Sequence, residues 1–174
     1  MRKTIALCLL VYISLSCNHL AKNINVEADS TSTTYAYTIS KPDNWDVGST
    51  KNTALVLSSL KAFENNKIEE SLAAFADSVV WRSDYVEGKF SKDTIRAMLN
   101  ASWNQLSARK INMHDFESVI SKDKKDEYVT IWYVETTTDK KGKTDSVAIV
   151  NDLKIVNGKI VALDEAIRHF KRGK

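Results

Sequence analysis

A chain of 174 residues has room for one ordinary domain and an appendage, and can bury a core without metal or disulfide staples. Hydrophobic residues make up 43% and charged residues 27% of it, a balance that excludes a disordered or fibrous chain. The formal charge of +3 owes two units to Arg2 and Lys3, so the remainder is nearly neutral and lacks the concentrated basic footprint of a nucleic-acid binder.

Arg2 and Lys3 open the chain, and Ile5 to Leu15 follow as an apolar stretch. That stretch falls short of the roughly 20 residues a membrane-spanning helix needs, so it is read as a signal peptide over residues 1–16. Ser14-Leu15-Ser16-Cys17 resembles the lipobox of bacterial lipoproteins, with Ser14 where a leucine is usual. The resemblance implies acylation at Cys17, export, and a membrane-anchored protein facing the periplasm of a Gram-negative bacterium. Ordinary cleavage or an uncleaved anchor are the alternatives. Cys8 would leave with the signal, so Cys17 alone would remain and no structural disulfide is available.

Residues 17–52 are polar, with Asp29-Ser-Thr-Ser-Thr-Thr34 and the sole proline, Pro42, and read as a tether. Trp45 within it is expected to dock on the domain. Two helical patterns follow, Val56/Leu60/Phe63 and Ile68/Leu72/Phe75, parted by a left-handed cap at Asn65-Asn66. Ser78 to Arg82 reads as a short strand, and Gly88 as part of a turn. Ser91 caps a third helix with the face Ile95, Met98, Leu99, Trp103 and Leu106. Strands are expected over Lys110–Ile120, Glu127–Thr137, Thr144–Val156 and Lys159–Phe170, with a tight hairpin at Asn157-Gly158. The result is an α+β domain over residues 53–170, three helices packed on a curved, mostly antiparallel sheet, with a basic tail at 171–174.

This order of elements is similar to the SnoaL-like branch of the nuclear transport factor 2 superfamily. The phrases that carry the resemblance are Lys67-Ile-Glu-Glu-Ser-Leu-Ala-Ala-Phe-Ala-Asp77, Glu87-Gly-Lys89 and Val156-Asn-Gly-Lys-Ile160. It implies a cone enclosing one pocket, with dimers packing sheet against sheet, and a family of steroid isomerases, cyclases, epoxide hydrolases and non-catalytic members. Fold alone therefore does not name a function. Against the steroid isomerases, Ser59 falls at the catalytic tyrosine, Ser83 at the base aspartate, with Asp84 adjacent, and Asn151 at the protonated aspartic acid. These departures count against that isomerisation.

A two-residue turn at Asn157-Gly158 would pair Leu153 with Ala162 and Asn151 with Asp164. A four-residue loop at Asp139–Gly142 would set Trp132 opposite Ile149 and Thr130 opposite Asn151. Thr130, Asn151 and Asp164 would then form a polar row across an apolar face, while Glu165 falls on the outer side with Asp152, Lys154 and Lys159. The row has two readings: a ligand site in which Asp164 acts as acid or base, or a self-satisfied buried network. Trp81, Trp132 and His114 are the further candidates for the pocket lining, with packed core as the plainer role. Nothing in the sequence calls for a metal or cofactor. Two functions follow: a membrane-tethered, non-catalytic domain for a small apolar ligand or a protein partner, and a metal-independent acid/base enzyme acting on an apolar substrate.

Overall fold

The computed structural model describes residues 36–38 and 44–170, and the fold is that of the second stretch. The signal peptide, Cys17 and the basic tail at 171–174 lie outside the described residues. In chain order the elements are β1 (Trp45–Val47), α1 (Thr50–Glu64), α2 (Ile68–Leu72), β2 (Phe75–Arg82), β3 (Glu87–Ser91), α3 (Lys92–Asn104), β4 (Leu106–Ser121), β5 (Glu127–Asp139), β6 (Thr144–Val156) and β7 (Lys159–His169). The strands form one seven-stranded sheet in the order β1-β4-β5-β6-β7-β2-β3. Every pairing is antiparallel except that of β2 with β7, which is parallel.

Part of the stretch read as tether belongs to the domain. Trp45–Val47 adds an edge strand to β4, and Trp45 meets Tyr128 edge-on at 5.7 Å between ring centroids. Gly48 lets the chain run close to β4, because a Cβ there would strike the Ser118 hydroxyl and lie 2.8 Å from the Val119 nitrogen. Ser49 then caps α1 by accepting from the Lys51 N–H at 3.2 Å. At the other end of α1 Asn66 adopts φ 58°, the left-handed cap expected there.

The second helical pattern is only half helix. Ile68 and Leu72 are buried in the five-residue α2, but Phe75 already belongs to β2, and Gly88 lies in a strand rather than a turn. α3 behaves as its sequence dictates. Ser91 accepts from the Thr94 N–H at 3.1 Å, Asp93 sits in the first turn, and Ile95 and Leu99 bury the apolar face. Leu106, read as the end of that face, starts β4 instead.

The helices cover the concave side of the sheet, where Val56, Leu72, Ile95, Val129, Ile131 and Ile160 are almost wholly buried. Two irregularities decide which other side chains join them. Ile155 pairs with Ile160 as the Asn157-Gly158 turn requires, yet Lys154 pairs with Ala162, so Val161 is an extra residue bulged out of β7. The β5–β6 loop holds five residues, not four, because Asp139 and Lys143 bond to each other across it and Thr138 pairs with Thr144. Each change moves a register by one, which exchanges the two faces.

Candidate functional site

Between the helices and the concave face lies a cavity of about 430 Å³, within the range of small-molecule sites. Its walls are mostly apolar, from Val56, Leu60, Leu99, Ile149, Leu153 and Leu163 among others. Its polar residues include Arg109 of β4, Tyr133 and Glu135 of β5, Asn151 of β6 and Glu165 of β7, with serines from α1, α2 and α3. Strand alternation puts the strand residues on one side, since Glu165 pairs with Asn151 and Tyr133 lies two pairs along, opposite Ile149.

Asn151 donates from Nδ2 to the Tyr133 hydroxyl at 3.2 Å. Burial, with Glu165 and Glu135 nearby, pushes the Tyr133 hydroxyl well above its usual range, so it stays protonated and free to donate. Arg109 and Glu135 form a buried ion pair, Nε to Oε2 at 3.0 Å, with the side chains 4% and 14% exposed. Burial wins over their attraction on both sides, lowering the Arg109 value and raising that of Glu135. Arg109 is further held by the Ser102 hydroxyl at 2.9 Å, and its guanidinium lies over the rings of Phe63 at 4.1 Å and Trp103 at 5.0 Å.

Glu165 is the exception in this cluster. No hydrogen bond or ion pair joins its carboxyl to any described residue, and burial, then the charges of Glu135 and Asp84, raise it to about 7 against the pull of Arg109. A carboxyl that titrates there can both give and take a proton at neutral pH. Buried side-chain nitrogen and oxygen atoms without hydrogen bonds also gather here: Trp81 Nε1, Arg109 Nε and Nη1, and Asn151 Oδ1 belong to cavity residues, and Ser118 Oγ alone lies elsewhere. Unsatisfied buried polar groups of this kind are costly, and they mark this end of the cavity as built for something other than apolar filling.

Of the residues singled out from sequence, Asn151 and Trp81 line the cavity. Thr130, Trp132 and Asp164 do not, because the bulge and the longer loop turn them to the outer face. There Thr130 donates to Asp152 at 2.7 Å, Trp132 pairs with Val150, and Asp164 binds Arg82 at 2.8 Å with both side chains about half exposed. His114 is exposed in a β4 bulge between Met113 and Asp115. Ser59 and Ser83 do reach the cavity, but Ser59 donates to the Ser71 carbonyl at 2.9 Å and Ser83 accepts from the Tyr85 and Val86 N–H groups, while Asp84 is exposed. The sequence did hold a signal for Glu165. Ile160 is even-numbered while Leu163 and Ile167 are odd, and only a bulge between them buries all three. Arg109 and Glu135 had no such signal. Among the described residues no group of three His, Cys, Asp or Glu side chains could hold a metal, and no helix is long and apolar enough to cross a membrane.

No family model matches the sequence, and no curated protein matches it either. Solved structures do. AusH from Aspergillus nidulans aligns with a TM-score of 0.58 at 15% identity, over 72% of this chain and 90% of that one. A protein of unknown function from Burkholderia pseudomallei, described as nuclear transport factor 2-like, gives 0.56 at 18% identity, over 71% and 92%. An epoxide hydrolase from M. tuberculosis gives 0.55 at 13% identity, over 68% and 83%. At these identities the likeness shows the fold, the nuclear transport factor 2-like cone, as the order of elements implied.

The state of Glu165 has a consequence for stability. The folded protein holds its proton up to about pH 7, whereas an unfolded chain releases it near 4.5. The stabilisation is therefore complete below pH 4.5 and is lost as pH rises through 7, by about 3 kcal/mol. Urea midpoints measured across this interval should fall for the native protein and fall much less for Glu165→Gln. Parallel curves would mean that the carboxyl is fully solvated.

Proposed function

We propose that the cone binds a small, mainly apolar molecule carrying one polar end, and that it does so while tethered to a membrane. The observation that carries the binding reading is the polar cluster of Arg109, Tyr133, Glu135, Asn151 and Glu165 in a mostly apolar cavity, with the Glu165 carboxyl left free. A cavity built only to fill space would be apolar throughout, or its polar groups would satisfy one another. The tether draws on Ser14-Leu15-Ser16-Cys17 alone.

A second reading has one observation in its favour. Glu165, at about 7, sits beside the Tyr133–Asn151 pair, an arrangement suited to moving a proton on a bound molecule without a metal. The epoxide hydrolase among the structural neighbours makes such chemistry compatible with the fold. In that case a turnover exists that Glu165→Gln abolishes while ligand still binds.

Binding itself is measured by titration calorimetry with 1-octanol as the probe. Native protein should give a saturable isotherm, and Val147→Trp, which fills the cavity from β6, should weaken it by about tenfold or more, roughly 1.4 kcal/mol. Equal affinity in the two proteins would place the probe outside the cone. For the tether, Cys17→Ser should release the protein from membranes into the soluble fraction. Retention there would count against lipidation.

A further inference from the structure

The charge that a ligand meets in the cavity depends on which groups are already engaged. Arg109 is closed off: an aromatic ring lies against its guanidinium at 4.1 Å and another at 5.0 Å, Ser102 takes one N–H, and Glu135 stands 3.0 Å away. Two of its three nitrogens have essentially no accessible surface. Its charge is balanced by Glu135, and a ligand cannot reach it without dismantling that packing. Glu165 is in the opposite position. Glu165 lines the cavity and also a second hollow beside Asp164, its carboxyl makes no hydrogen bond or ion pair with any described residue, and its oxygens keep some accessible surface. Once Glu165 ionises, as pH rises through neutrality, the available charge is therefore negative, and the exposed Asp84 near it adds to the same sign. The rings of Trp81 and Tyr85 border the same space, and aromatic faces attract cations.

We propose that the ligand's polar end is a protonated amine seated against Glu165, with its alkyl or ring body lying toward Val56, Leu99 and Ile160. This rests on the cavity-binding reading and adds the sign of the ligand's charge to it. A carboxylate would meet Glu165 and Glu135 with Arg109 out of reach. A hydroxyl could donate to Glu165, but it would leave a carboxylate in an apolar enclosure without a counter-charge, whereas an ammonium supplies both the hydrogen bond and the charge.

The test compares octylamine, 1-octanol and octanoate by titration calorimetry on the whole protein, with Glu165→Gln alongside. The groups that face or act on Glu165 are Glu135 of β5, Arg109 of β4, Tyr133 of β5 and Asp84 of the β2–β3 turn, with Tyr85 and His169 at the same cavity, while Arg82, Asp152 and Asp164 share a second hollow with it. Octylamine should bind native protein about tenfold more tightly than octanol, and octanoate more weakly than either. Amine affinity should rise as pH is raised through neutrality and the Glu165 carboxylate forms. In Glu165→Gln the preference for amine and its pH dependence should disappear while octanol affinity is kept. Equal binding of amine and octanol, or tightest binding of octanoate, overturns the inference and leaves the cavity-binding reading in place. Failure of all three to bind overturns both. Far-UV circular dichroism of Glu165→Gln confirms that its fold is intact, and an amine preference that survives in the folded variant also overturns the assignment.

Discussion

One extra residue in β7 decides what the cone contains. Side chains alternate across a strand, so the bulged Val161 inverts the alternation for everything beyond it. Leu163, Glu165, Ile167 and His169 turn to the cavity, and Asp164 turns away. Without the bulge, Leu163 and Ile167 would face outward and the cavity would be lined by Ala162 and Ala166, too small to pack against the helices. The bulge thus buries apolar surface, and Glu165 is carried inward with its neighbours. Burying Leu163 and partly burying Ile167 is worth about 2 to 5 kcal/mol, comparable with the cost of a carboxyl that stays protonated to near neutrality.

The rest of the polar cluster follows from the same parity in the next strands. Asn151 faces Glu165 across the β6–β7 ladder, and Tyr133 is reached from Asn151 diagonally, which their 3.2 Å hydrogen bond records. Glu135 lies two residues further along β5, where it meets Arg109. Helices α1 and α3 then supply Phe63 and Trp103, whose rings enclose the guanidinium, and the Trp103 indole N–H is anchored to the Phe63 carbonyl at 2.9 Å. The arginine is fixed as a structural counter-ion to Glu135. Glu165 is left as the group with chemistry to spare.

Much of the fold was legible because it depends on local rules. The capped, one-faced α3, the left-handed Asn66 and the Asn157-Gly158 hairpin with Ile155 opposite Ile160 are all dictated within a few residues of chain. What local rules do not fix is parity over distance. A tight turn sets the register of its first pair and no more, so the Thr130, Asn151 and Asp164 row dissolved once Val161 and Lys143 each added a residue. Asn151 survived because it lies in β6, the strand between the two shifted partners, and its own facing did not change. β3 and the short α2 escaped for another reason: their segments are too brief for periodicity to separate helix, strand and turn. Arg109 and Glu135 meet only through the β4–β5 pairing, which the bulge at His114 also displaces.

Everything in the polar cluster depends on Glu165 facing the cavity as a free, largely buried carboxyl. Its side-chain carboxyl resonance, assigned by its loss in Glu165→Gln, can be followed by carbon-detected nuclear magnetic resonance through a pH titration of the ligand-free protein. The expected midpoint is about 7. A midpoint near the ordinary 4.5 of a solvated glutamate would contradict it, and would return Glu165 to the outer face.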